Sequence, residues 1–140
     1  MRCLFVDDDP ENVAFVAATL REALAAEVVI VTTVEEAVRV LQSSVVDVLV
    51  MDLFIPIGVQ PHQALGPRAR KYQEHLEDLG GLVLLDELDR VDPHPVTLLH
   101  TACRDHVLLQ LLGERVAARV PKPAPAEVLL DAVLRALRGA

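Results

Sequence analysis

From its first residues the chain sets short apolar runs against longer stretches in which apolar residues return every three or four positions. Cys3 to Val6 is the first run, of strand length, and Val13, Val16, Ala17, Leu20 and Leu24 then share one face of a helix. Asp9 is placed to cap that helix, with Pro10 at its first position, where a missing N–H leaves no bond unmade. Val28 to Thr32 predicts a second strand. Thr33 with Glu36 three residues on is a capping-box pattern opening a helix from Val34 to Leu41. "VVDVLVMD", Val45 to Asp52, has the near-continuous apolar character of a central strand covered on both faces.

After "LFIP" the rhythm breaks. Ile57 to Gly80 carries Gly58, Pro61, Gly66 and Pro67, then a charged stretch with Ala69, Tyr72, Leu76 and Leu79 at helical spacing. It reads as an inserted loop and helix closed by Gly80-Gly81. The alternation then resumes with a helical segment from Gly81 to Val91, a break at "DPHP", and a strand from Val96 to Thr101. A short helix from Asp105 to Leu112, a fifth strand from Val116 to Val120 and a last helix from Glu127 to Leu137 follow. Strands alternating with helices predict an α/β fold, a doubly wound five-stranded parallel sheet with helices on both faces. No internal repeat interrupts it, and residues 1–140 read as a single domain, with the insertion at 57–80 its one irregularity.

Composition narrows the partners more than the fold. A formal charge of −8 disfavours nucleic acid and anionic membrane surfaces and favours proteins or cations. Cys3 and Cys103 make no CxxC pair and no disulfide framework, which points to a reducing compartment. No segment approaches the roughly 20 apolar residues that span a bilayer, and the start is too short in apolar residues for a signal peptide, so a cytoplasmic location is expected.

The chemistry collects where the strands end. In open parallel sheets the functional crevice lies outside the carboxyl ends of the strands. Asp7 and Asp8 follow strand one, Asp52 ends strand three, Thr101 ends strand four and Lys122 follows strand five. A flavodoxin-like order, 2-1-3-4-5, brings all of these together and leaves strand two at an edge. Three carboxylates at one rim repel one another by several kcal/mol in an intermediate dielectric unless a cation separates them. A hard divalent ion such as Mg²⁺ takes one or two carboxylates and a carbonyl and keeps positions for a phosphoryl group. A carboxylate nucleophile, a lysine and a hydroxyl then suit phosphoryl transfer. Asp52, alone at the end of the central strand, is the candidate nucleophile, and the paired Asp7 and Asp8 are the candidate metal ligands.

This ordered set resembles the receiver domains of two-component response regulators. That family has an acidic pair after strand one, Asp-x-x-Met-Pro after strand three, Thr or Ser with a small neighbour after strand four, and Lys-Pro after strand five. Here these stand as Asp7-Asp8, "DLFIP" from Asp52 to Pro56, Thr101-Ala102 and Lys122-Pro123, and the resemblance spans nearly the whole chain outside the insertion. It implies that Asp52 accepts a phosphoryl group from a phosphohistidine on a sensor histidine kinase or a histidine phosphotransfer protein. It further implies Asp8, Asp52 and the Phe54 carbonyl as ligands of Mg²⁺ or Mn²⁺, with Asp7 assisting. Thr101 and Lys122 would contact the phosphoryl oxygens, the Lys122-Pro123 bond would be cis, and the acyl phosphate would hydrolyse in time. The domain would be a timed switch of a protein contact and not a conventional enzyme.

Three positions depart from the family pattern. Ile55 replaces Met, the interval from Asp52 to Thr101 is about twenty residues longer than usual, the kind of loop that is generally functional, and Arg119 stands where an aromatic accompanies Thr movement. Two rival readings remain. Asp7-x-Asp9, Thr101 and Lys122 echo a small phosphohydrolase of the haloacid dehalogenase type, although Glu11 does not fit its motif. A receiver-shaped docking module without phosphate chemistry is the other.

Further expectations concern surfaces. Asp9 is a cap rather than a ligand. His62, His75, His94, His100 and His106 show no zinc spacing. Cys103, two residues past Thr101, stands either as a packed thiol or as a control on water access. Arg68, Arg70 and Lys71 with Glu74, Glu77 and Asp78 read as a solvated face, or as a segment that contacts a kinase or gates the site. Leu108, Leu109, Leu111 and Leu112 cannot all point inward from one helix, which predicts a downstream-protein or homodimer surface on 105–112 and 127–137. With the chain ending near the last helix, no separate DNA-binding module is expected.

Overall fold

The computed structural model describes residues 1–58, 79–113 and 115–139. Five strands form one parallel sheet: β1 (Arg2–Val6), β2 (Glu27–Val31), β3 (Val48–Met51), β4 (Val96–Thr101) and β5 (Ala118–Pro121), in the order β2-β1-β3-β4-β5. The described helices are α1 (Glu11–Leu24), α2 (Val34–Ser43), α3 (Gly80–Leu88), α4 (His106–Gly113) and α5 (Ala126–Gly139). The expected fold class and strand order are therefore observed.

The apolar character of β1 and β3 follows from their central place. Because successive side chains point to opposite faces, each strand feeds two cores. Leu4, Val6, Leu49 and Met51 pack under α2, α3 and α4, with Leu82, Leu85, Leu108 and Leu112. Cys3, Phe5, Val48 and Val50 pack on the other face under α1 and α5, with Val16, Leu20, Leu129 and Val133. No helix among the described residues is long and apolar enough to cross a membrane.

Several local expectations hold. The Thr33 side chain caps α2 by accepting from the Glu36 N–H at 3.1 Å, and the Glu36 carboxylate reaches back to accept from the Thr32 hydroxyl at 3.0 Å, one residue before the cap. Burial pushes the Glu36 carboxyl upward, but the bonds from Thr32 and Thr33 outweigh it and hold it below its ordinary value. On α4, Leu108 and Leu112 are buried, Leu109 and Leu111 only partly, and Val107 is exposed, as one helical face requires.

Two expectations are corrected. Asp9 does not cap α1 with its side chain: Pro10 occupies the N-cap position without a side-chain bond, and the Asp9 N–H is taken by Asp7 Oδ1 at 2.9 Å. β3 begins at Val48, three residues after the expected start, because Val45 is exposed and the Asp47 carboxylate is spent on the Arg2 N–H at 2.8 Å. Gly80 and Gly81 open α3, while the helix they were expected to close lies outside the described residues. The Gly80 and Gly81 N–H groups donate to the Ile55 and Leu53 carbonyls at 2.9 and 3.0 Å. A Cβ on Gly80 would stand 2.1 Å from the Ile55 oxygen, and one on Gly81 2.7 Å from Leu53 Cα, so only glycine permits this approach. Most of the insertion expected at 57–80, with its histidines and charged face, lies outside the described residues.

Candidate functional site

Three polar groups of the site are held by backbone bonds just past the ends of their strands. The Asp7 N–H donates to the Val31 carbonyl at 3.0 Å, the Asp52 N–H to Val6 at 3.1 Å and the Lys122 N–H to Thr101 at 2.9 Å. These bonds carry the sheet ladder one step past the strands, so the side chains project from its carboxyl edge at fixed positions.

There the carboxylates of Asp7, Asp8 and Asp52 offer oxygens that all lie within 4.8 Å of one another. Asp7 and Asp52 are buried, at 3% and 5% exposure, while Asp8 faces solvent. The Lys122 ammonium lies between the buried pair, donating to Asp7 Oδ2 at 2.8 Å and Asp52 Oδ2 at 2.9 Å. Their remaining oxygens accept from backbone: Asp7 Oδ1 from Asp9, Asp52 Oδ1 from Phe54 at 3.2 Å. Burial pulls the Lys122 pKa down, but the hydrogen bonds and charges of Asp7 and Asp52 outweigh it and leave the value raised.

Thr101 is buried at the end of β4, its Oγ1 accepting from the Cys103 N–H at 3.3 Å. Lys122 and Pro123 are joined by a cis peptide bond. Beside them His100, also buried, donates through Nδ1 to the Val120 carbonyl at 2.8 Å, while burial holds its pKa below the ordinary 6.5. Neither this imidazole nor the Gly80-Gly81 tether to the loop after Asp52 stood out in the sequence. The glycine pair itself was the available signal for the second.

The residues fit a hard divalent cation. Three carboxylates and one ammonium leave a formal −2 at the site, which such an ion cancels with oxygen donors alone. The Asp8 carboxylate makes no bond among the described residues, and the Phe54 carbonyl accepts none from their backbone, whereas the carbonyls on either side of it are bonded to Gly80 and Gly81. Asp9, the second acid of the hydrolase reading, is not among the converging carboxylates.

No family model and no curated protein matches the sequence. Solved structures do. A CheY-like response regulator receiver domain protein from Methanospirillum hungatei JF-1 aligns over 99% of this chain and 94% of its own, at 19% identity and a TM-score of 0.73. The BeF₃-activated N-terminal receiver domain of RstA from Klebsiella pneumoniae aligns over 99% of both chains, at 22% identity and 0.69. The non-phosphorylated HemR receiver domain from Leptospira biflexa aligns over 97% of this chain and 93% of its own, at 22% identity and 0.68. The chain has the receiver-domain fold of response regulators.

Proposed function

We propose that this chain, with its receiver-domain fold, is a phosphoacceptor in a two-component phosphorelay and that Asp52 carries the phosphoryl group. The observation that supports it most is the meeting of Asp7, Asp8, Asp52 and Lys122 from three strands, with two of the carboxylates buried around one ammonium. A purely structural rim has no need to gather like charges at that cost.

In this reading an Asp52 oxygen attacks the phosphorus of a partner's phosphohistidine. The P–N bond breaks, its electron pair returns to the imidazole, which takes up a proton, and an aspartyl phosphate forms. Lys122 then redirects one of its N–H bonds from Asp52 to a phosphoryl oxygen, and the Thr101 hydroxyl donates to another. Asp8, the Asp52 carboxylate and the Phe54 carbonyl are the groups that would hold Mg²⁺ or Mn²⁺, with Asp7 in support. The ion would supply charge neutralisation for the incoming phosphoryl oxygens. Attack of water on the phosphorus returns carboxylate and inorganic phosphate, which resets the switch. A sensor histidine kinase or a histidine phosphotransfer protein is the donor, and the output is a protein contact on the α4 and α5 face. We place this activity in a single cytoplasmic domain covering residues 1–140.

Incubation with acetyl phosphate and Mg²⁺ followed by intact mass tests the reading. One phosphoryl adduct is expected on the native chain and none on Asp52→Asn. An adduct that survives this substitution but is lost in Asp7→Asn moves the chemistry to the hydrolase reading, and no adduct on the native chain leaves a docking module.

A further inference from the structure

Between α4 and β5 lies a cleft of about 290 Å³, walled by Arg104, His106, Leu109 and Arg119, with Thr101 and Lys122 at its inner end. On a chain of net charge −8 this concentration of cationic groups is out of keeping with the rest of the surface. The pairing of the arginines sharpens the contrast. Arg2, Arg39, Arg90, Arg115 and Arg135 each pair with a carboxylate, and Arg21 and Arg138 bond backbone carbonyls. Arg104 and Arg119 alone among the described arginines have no partner, and both are exposed on the walls of this cleft. The one acidic residue from Thr101 to Gly113 is Asp105, and its Oδ1 is occupied by the Val107 and Leu108 N–H groups at 2.9 and 3.2 Å, where it caps α4.

We infer that the cleft is a docking site for a protein partner that inserts an acidic side chain, with an apolar neighbour laid against Leu109. Two guanidiniums present planar donor sets suited to carboxylates. The cleft has the room of about ten water molecules, more than a bare ion fills, and Leu109 and Pro121 give it an apolar side that an inorganic ion does not use. The inference names the partner chemistry of the contact proposed above. It rests on that reading only for its link to Asp52, through Thr101 and Lys122 at the inner end.

The probe is a fluorescein-labelled peptide alternating glutamate and leucine, with a lysine and leucine twin, titrated by anisotropy and by amide shifts. The acidic peptide, titrated without any phosphodonor, is expected to bind the native protein and to shift the amides of residues 101–109, 119 and 120. Its dissociation constant should rise at least tenfold in the Arg104→Ala/Arg119→Ala variant, whose circular dichroism stays native because both side chains are exposed. Equal binding of the lysine twin, undiminished binding by the double variant, or competition by inorganic phosphate at the peptide's own concentrations would overturn it. So would self-association of the chain that requires both arginines while the peptide does not bind. Because the titration uses no phosphodonor, failure of the receiver reading appears in the mass assay and leaves the peptide result standing.

Discussion

Lys122→Met removes the ammonium shared by two buried carboxylates and keeps most of the side-chain volume. With oxygens of Asp7 and Asp52 within 4.8 Å, Coulomb's law at an effective dielectric of about 20 sets their repulsion near 3.5 kcal/mol or above. The Lys122 side chain is only 15% exposed, so solvent screens the pair little. Removing one partner of a buried charge pair generally costs about 3–5 kcal/mol, which agrees. Urea denaturation in EDTA should show a loss of about 3–4 kcal/mol, equivalent to roughly 10 °C in Tm for a chain of this size. Millimolar Mg²⁺ should recover at least about half of that loss and stabilise the variant more than the native protein, because a divalent ion takes over the countercharge. The alkaline limb gives a second reading. A raised Lys122 pKa means stability fully present below the ordinary 10.5 and lost as pH climbs through the higher folded value, a decline that the variant lacks. A loss below about 1 kcal/mol with no response to Mg²⁺ would refute the view that these carboxylates press on one another.

Gly81→Ala drives a methyl to 2.7 Å from Leu53 Cα and 2.9 Å from the Asp52 carbonyl oxygen, which should cost about 1–3 kcal/mol in Tm measurements and slow adduct formation. Gly113→Ala, with nothing within 4 Å, should be neutral or stabilising by up to about 1 kcal/mol. His100 is held below 6.5 by burial, so its contribution is fully present above the unfolded value and lost as pH falls toward the folded one. Chemical denaturation from neutral to acid pH should show that part of the slope absent in His100→Gln.

What the sequence made legible was whatever depends on neighbours along the chain. The doubly apolar runs of β1 and β3 declared a central position, and Thr33 with Glu36 declared the start of α2, because spacing alone carries both. The site residues were legible as a set, since topology brings strand ends together even when residues 7, 52 and 122 are far apart in number. Asp9 misled because the rival for its N–H, the Asp7 carboxylate, is a matter of turn geometry rather than residue type. The place of Gly80 and Gly81 at the start of α3 was illegible for a related reason: it depends on the Ile55 and Leu53 carbonyls, which only the fold brings within reach of their N–H groups. The unpaired state of Arg104 and Arg119 was equally out of reach, because it depends on which carboxylates the fold carries away from them.

The bond from the Gly80 N–H to the Ile55 carbonyl, 2.9 Å long, brings the chain back beside the segment that follows Asp52, which is itself pinned to α2 through the Pro56 and Ile57 carbonyls. With both ends of an excursion held in this way, the entropy of closing it grows only with the logarithm of its length. The position is thus a port, where added length costs the fold little entropy while the bonds on either side of it stay in place.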